Sequence, residues 1–449
     1  MPRKEKPKKN RYEYLTQTPV EPLICTLAVP TIISMLVTGI YNAADTFFVG
    51  RISTQATAAV GLVFSVMAII QALGFFCGHG SGNYLSRQLG AGNEKEAKEM
   101  AVTGFTLALL LGVVVALLGN VFAKELAHLL GATPTTMEDT CRYMRIILLG
   151  APFMMAQFVI NNQLRFQGSA IYAMAGLMVG ASANMVLDPV LIFGFHLGVA
   201  GAAIATVSGQ ILSFFTLFFM SRKGENIRLE AKNIRFTPHY LLAIVNGGSP
   251  SLLRQGMAAI ATMMLNTYAG QLGGDAAIAA MSIVNRALML LTSIVIGFGQ
   301  GYQPVCSFCY GAKLTDRVKK GYYFCLRYST IFLILAGIGT YVFAPQVISF
   351  FRDDPEVVAV GTQALRIQSV FTLPLMGIIM ISNMMLQSIG KGLKASITSS
   401  ARNGIFFLPM ILILPRVFGL LGVEMAQSWA DVLTVILTVP MAISEIRKM

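Results

Sequence analysis

The chain has 449 residues, 55% of them hydrophobic and only 12% charged, with a mean hydropathy of +0.65. A soluble domain carries about twice that share of charge, so an ordinary soluble fold is excluded. The formal net charge of +13 would suggest nucleic acid in a soluble protein, but here the basic residues follow a membrane topology and no nucleic-acid partner is expected.

Apolar runs near 20 residues, the length that crosses ~30 Å of hydrocarbon, recur along the whole chain. They predict an all-α polytopic membrane protein with twelve spans: 22–48, 56–82, 100–122, 139–161, 171–194, 198–220, 238–266, 276–302, 321–344, 357–386, 395–415 and 420–443. The opening MPRKEKPKKNR is basic and polar, unlike a cleavable signal peptide, and begins a tail assigned to 1–21. With that tail inside, the segments on its side hold 23 Lys and Arg, and those on the other side hold four, Arg51, Lys124, Arg352 and Arg416. The positive-inside rule then places both termini in the cytoplasm, on a multi-pass monomer of the cytoplasmic membrane.

The first span, AVPTIISMLVTGIYNAADTFFVG (28–50), carries two anomalies. Pro30 interrupts the helical hydrogen-bond ladder and is a candidate hinge. Asp45 puts a carboxylate inside an apolar run, at a cost of roughly 2.5–3.5 kcal/mol near the bilayer centre, and such residues mark ion pathways. The plainer alternative is an Asp45 solvated at the outer interface or paired with Arg51. Further on, GHGSG (78–82) follows no strand, so close helix packing explains it better than a nucleotide loop; His79 is a packed histidine or a proton relay. No Walker A motif is present, so ATP is not the expected energy source.

The fourth span offers Gln157, Asn161 and Asn162 as polar groups. In the fifth, NMVLDPVLIFG sets Asn184 and Asp188 four residues apart on one helix face, and Pro189 loosens the turn around the acid. Thr206 adds an oxygen from the sixth span. Two carboxylates in a low-dielectric site cannot both stay charged and unpaired, so Asp45 and Asp188 must bind protons or, with Asn184 and Thr206, cage sodium. No other metal and no cofactor is expected. Cys306 and Cys309 form a C-x-x-C with no second pair at zinc spacing.

The polar stretch 221–237 is the one linker; it separates lobes assigned to 22–220 and 238–449. The halves repeat: Pro30 falls on Pro250, Gly78, Gly80 and Gly90 on Gly299, Gly301 and Gly311, and Pro152, Asn161 and Gly168 on Pro374, Asn383 and Gly390. Six spans per half make the repeat parallel, giving two pseudo-symmetric bundles about a central cleft. Asp45 and Asp188 fall on Leu265 and Leu408, so the acid pair is private to the first half. In the second half, Arg254, Arg286, Met257, Met263, Met376, Met380 and Met384 are possible cavity groups, flexible thioethers suiting a promiscuous site as well as ordinary gap-filling. Asp431 and Glu424 form a rival second-half acid site, against which stand Glu424's place near the interface and the charge of Arg402, which could simply neutralise Asp431.

The order of motifs resembles the multidrug and toxic compound extrusion (MATE) family: YNAADTFFVGR, GHGSGNYLSRQLGAGNEKEA, NNQLRFQGS, NMVLDPVLIFG and GVAGAAIATV, then PSLLRQG and MLQSIGKG. The resemblance covers about 20–443 and implies an antiporter that exports amphipathic, often cationic, drug-like compounds in exchange for H+ or Na+. It carries a coupling role onto Asp45, Asn184, Asp188 and Thr206. Some members hold acids in the second lobe near Gln255 and the tenth span, where this chain has none. Tyr41, Gln157, Asn161, Arg254, Met257 and Met380 are the candidate substrate contacts. The chain is read as a transporter and not an enzyme; a lipid-linked saccharide flippase on a related scaffold is the alternative.

Overall fold

A computed structural model describes residues 10–449; the first nine residues of the expected tail lie outside the described residues. Every regular element among the described residues is helical, as hydrocarbon requires of segments that must satisfy their own backbone hydrogen bonds. In chain order they are α1 (Arg11–Gln17), α2 (Val20–Gly50), α3 (Thr54–Gly90), α4 (Glu94–Val121), α5 (Ala123–Leu129), α6 (Met137–Phe166), α7 (Ala170–Pro189) and α8 (Gly198–Ser221). After the linker come α9 (Pro238–Gly311), α10 (Thr315–Val342), α11 (Ala344–Phe351), α12 (Pro355–Ser388), α13 (Gly392–Ser400), α14 (Phe407–Phe418) and α15 (Leu420–Lys448). Among the described residues, eleven helical stretches are long and apolar enough to span a bilayer. The 74-residue α9 makes two crossings, turning at Gly274 where φ is 63°, a region open to glycine. Twelve spans result.

Two spans are less regular than their hydropathy suggests. The fifth leaves α-helical geometry after Pro189 and continues as a π turn, Val190–Gly194. The eleventh breaks between α13 and α14 into a π turn at Ala401–Ile405, where Asn403-Gly404 weakens the helix. Such bulges re-aim side chains and cluster at functional sites.

The internal repeat is visible in the backbone. Positive φ recurs at Gly92 and Lys313, at Gly168 and Gly390, and at Gly198 and Gly419. The Asn161 Nδ2 donates to the Ala173 carbonyl at 2.9 Å, and Asn383 Nδ2 donates to the Ala395 carbonyl at 2.7 Å, the same bond in each half. The short helices α5 and α11 also correspond, two amphipathic pieces that hydropathy alone did not mark.

The lobes meet toward the end where both described termini lie, here called the basic end. There glycines let backbones touch: Gly80 abuts Ile244, Gly90 abuts Phe308, Gly311 abuts Arg87, and Gly301 abuts Ala28. Arg87 Nη1 donates to the Ser388 carbonyl at 2.8 Å, and Ser307 Oγ donates to Asn83 Oδ1 at 3.1 Å. Farther along the same helices, Met35, Thr38, Tyr41 and Asn42 of α2, with Phe64, Met67 and Gln71 of α3, line a central cavity instead. The two halves therefore close at the basic end and part toward the other.

Within the stretch expected as a tail, α1 is a docked element. Leu15 is fully buried in a cluster with Phe308, Cys309 and Val318. Arg317 Nη2 donates to the carbonyls of Leu15 and Thr18 at 3.1 and 2.6 Å, while the Arg11 amide donates to Glu225 in the linker at 2.7 Å. Leu15→Ala removes the one fully buried side chain of α1 at a cost of about 2 kcal/mol. Hydrogen exchange over 11–18 should accelerate roughly thirtyfold with the spans unchanged. Unaltered protection would show that the backbone bonds alone hold the helix.

Candidate functional site

Four elements of the first lobe converge on a cluster of oxygens. Asn184 and Asp188, one turn apart on α7, are buried, as is Thr206 on α8; Asn184 Nδ2 lies 3.4 Å from Thr206 Oγ1. Asp45 of α2 lies close to Asp188 and is half-buried. Tyr143 of α6 is fully buried beside Thr206 and the two acids. Asp45 Oδ1, both Asp188 carboxylate oxygens, Asn184 Oδ1 and the Tyr143 hydroxyl are buried without a hydrogen-bond partner. Buried acceptors left unpaired are costly, and bound protons or a hard cation would satisfy this set. Arg51 does not supply the charge, because its guanidinium lies over the Phe47 ring at 4.5 Å. Sequence reasoning missed Tyr143, whose only signal was a phenol in an apolar span.

The central cavity, about 520 Å³, lies between the lobes. Of the six residues expected to contact substrate, Tyr41, Gln157, Asn161, Arg254 and Met380 line it. Met257 does not; its thioether packs where Gly404 has no side chain. Arg286 and Met263 are exposed away from it, whereas Asn184 and Thr206 line it and join the oxygen cluster to its wall. Gln157 donates to Gln210 across the first-lobe wall. Pro30 sits inside a continuous α2, its carbonyl accepting from Ser34 Oγ at 2.8 Å.

Asp431 is fully buried and neutralised by Arg402 Nε at 2.8 Å, with Gln427 Nε2 donating to the same oxygen at 2.9 Å. Glu424 is buried with Oε2 unpartnered and does not line the cavity. His79 is buried, stacked on Phe75, with Nδ1 at 3.2 Å from the Phe75 carbonyl. The six cysteines are free thiols.

Two six-helix lobes enclosing a polar-spotted cavity define a two-lobed membrane transporter. The MatE family profile matches residues 30–190 and 250–413. The chain is 30% identical over 401 residues to the multidrug export protein MepA of Staphylococcus saprophyticus, covering 88% of this chain and 87% of that one. It is 27% identical to MepA of Staphylococcus aureus, covering 91% and 90%. An outward-facing multidrug resistance MATE transporter of the MOP superfamily superposes with a TM-score of 0.91 at 27% identity, covering 99% of both chains. A MOP-superfamily transporter from Pyrococcus furiosus matches with the same score, identity and coverage. The chain belongs to the MATE family of efflux transporters.

Proposed function

We propose that this protein is a multidrug exporter driven by H+ or Na+ entry through the first-lobe oxygen cluster. Amphipathic drugs or metabolites occupy the central cavity, whose apolar wall of Phe64, Phe75, Phe158, Met376 and Met380 suits varied skeletons. The observation that carries the coupling reading is the set of unpaired oxygens on Asp45, Asn184, Asp188 and Tyr143, absent from the matching positions of the second lobe. The basic end faces the cytoplasm, consistent with its excess of Lys and Arg, so the cavity opens outward. A proton or sodium ion arriving from outside binds the cluster and, through Asn184 and Thr206 at the cavity wall, favours the lobe arrangement that releases the drug. Binding of the cation therefore biases one of two lobe arrangements, which is how coupling works thermodynamically.

Proteoliposomes challenged with a fluorescent dye panel of positive, neutral and negative amphipaths test this reading. Either an imposed pH gradient or an imposed sodium gradient is expected to drive export, and the active gradient names the ion. Transport indifferent to both gradients would sink the coupling reading.

A further inference from the structure

Among the described residues, no aspartate or glutamate lines the central cavity, yet two arginines reach it, Arg254 on α9 and Arg402 in the π turn. Arg402 is neutralised by Asp431. Arg254 has no carboxylate partner among the described residues, and neither has Arg165 of α6. Arg165 is only 5% exposed; its guanidinium donates to the amide oxygens of Asn162 and Gln300, and its Nε remains unpaired. Gln300 in turn lines the cavity. Amide oxygens ease the desolvation of a guanidinium but leave its charge uncancelled. These two uncancelled charges, Arg254 on the cavity wall and Arg165 behind Gln300, give the cavity a positive field, and the acids of the coupling cluster do not line it.

Resting on the export reading above, we infer that Arg254, which lines the cavity together with Gln255 and Gln300, is a carboxylate-accepting subsite. The preferred substrates are amphipathic carboxylates, anionic or zwitterionic, and simple lipophilic cations are handled poorly. A guanidinium offers a carboxylate two parallel donors and no acceptor, while the aromatic and methionine wall takes the apolar body. The incoming anion supplies the counter-charge that Arg254 lacks.

The test is a matched pair, dansyl-phenylalanine and its neutral carboxamide, titrated against the purified protein in nanodiscs, with tetraphenylphosphonium as competitor. Wild type is expected to bind the carboxylate at least tenfold more tightly than the amide. Arg254→Gln should bring the pair within about twofold and strengthen competition by the cation, whereas Arg254→Lys should retain a clear carboxylate preference. Elution as a monodisperse peak establishes that each variant is folded, and the wild-type ratio decides even if one is not. Equal wild-type affinities, or a preference that survives Arg254→Gln, would overturn the subsite while leaving export intact. Failure of wild type to bind either probe while still moving dyes of the panel would overturn the subsite alone; failure to move any dye would overturn the export reading and this inference with it.

Discussion

Asp188→Asn is expected to abolish gradient-driven efflux. The asparagine keeps the shape and hydrogen-bonding reach of the side chain but removes its ability to exchange a proton or to offer a full charge to sodium. One charge moving through 100 mV supplies about 2.3 kcal/mol, enough to sustain a substrate gradient of roughly fiftyfold; in the variant that ratio should fall to unity. Stability should not fall with it, because the wild-type carboxylate is fully buried with both oxygens unpaired, and a neutral amide is cheaper to hold there. Loss of export with an undiminished melting temperature is the signature of a coupling residue, and Asp45→Asn should reproduce it. Full transport in both variants would move attention to Asp431 and Glu424 of the second lobe.

The second large effect is structural. Gly311→Val and Gly90→Val each place a branched side chain where the backbone of Arg87 or Phe308 already stands. Main chain inside a helix cannot step aside as a flexible side chain would. Overpacking of this kind costs about 1–3 kcal/mol, which shifts a two-state equilibrium by roughly 5- to 150-fold. Each substitution should therefore open the basic end. With Cys25 replaced by serine, spin labels at positions 95 and 319 report the separation: a longer distance should appear in the variants beside the wild-type one. An unchanged single distance would mean that the glycine contacts are not what holds the lobes together.

Much of this was readable from the amino-acid order alone. Twelve apolar runs fix a helical membrane fold because hydrocarbon leaves no other arrangement, and an acid in such a run is conspicuous by its cost. The repeat showed through Pro152 and Pro374, Asn161 and Asn383, because those residues serve backbone geometry that both halves share. The π turns were not readable, since a single extra residue per turn leaves hydropathy untouched. Nor was α1, whose docking depends on Arg317, some 300 positions away. Met257 was misplaced for a related reason: helical spacing gives a face but not which neighbour that face meets. Arg165 resembled one of many arginines near a span end until Gln300 of the other lobe was found against it.

The glycine seam at the basic end also bears on turnover. Its surfaces are largely main chain whose amides already bond within α3 and α9, so parting them strands few donors or acceptors. The polar links across it, such as Arg87 to Ser388, Ser307 to Asn83 and Tyr84 to His239, must exchange protein for water. Each is worth on the order of 1 kcal/mol net. Parting also wets the apolar side chains packed around the seam, Leu23, Ile24 and Leu27 of α2 against Tyr302, Val305 and Phe308 of α9, so the hydration of hydrocarbon, more than the loss of hydrogen bonds, sets what opening costs there.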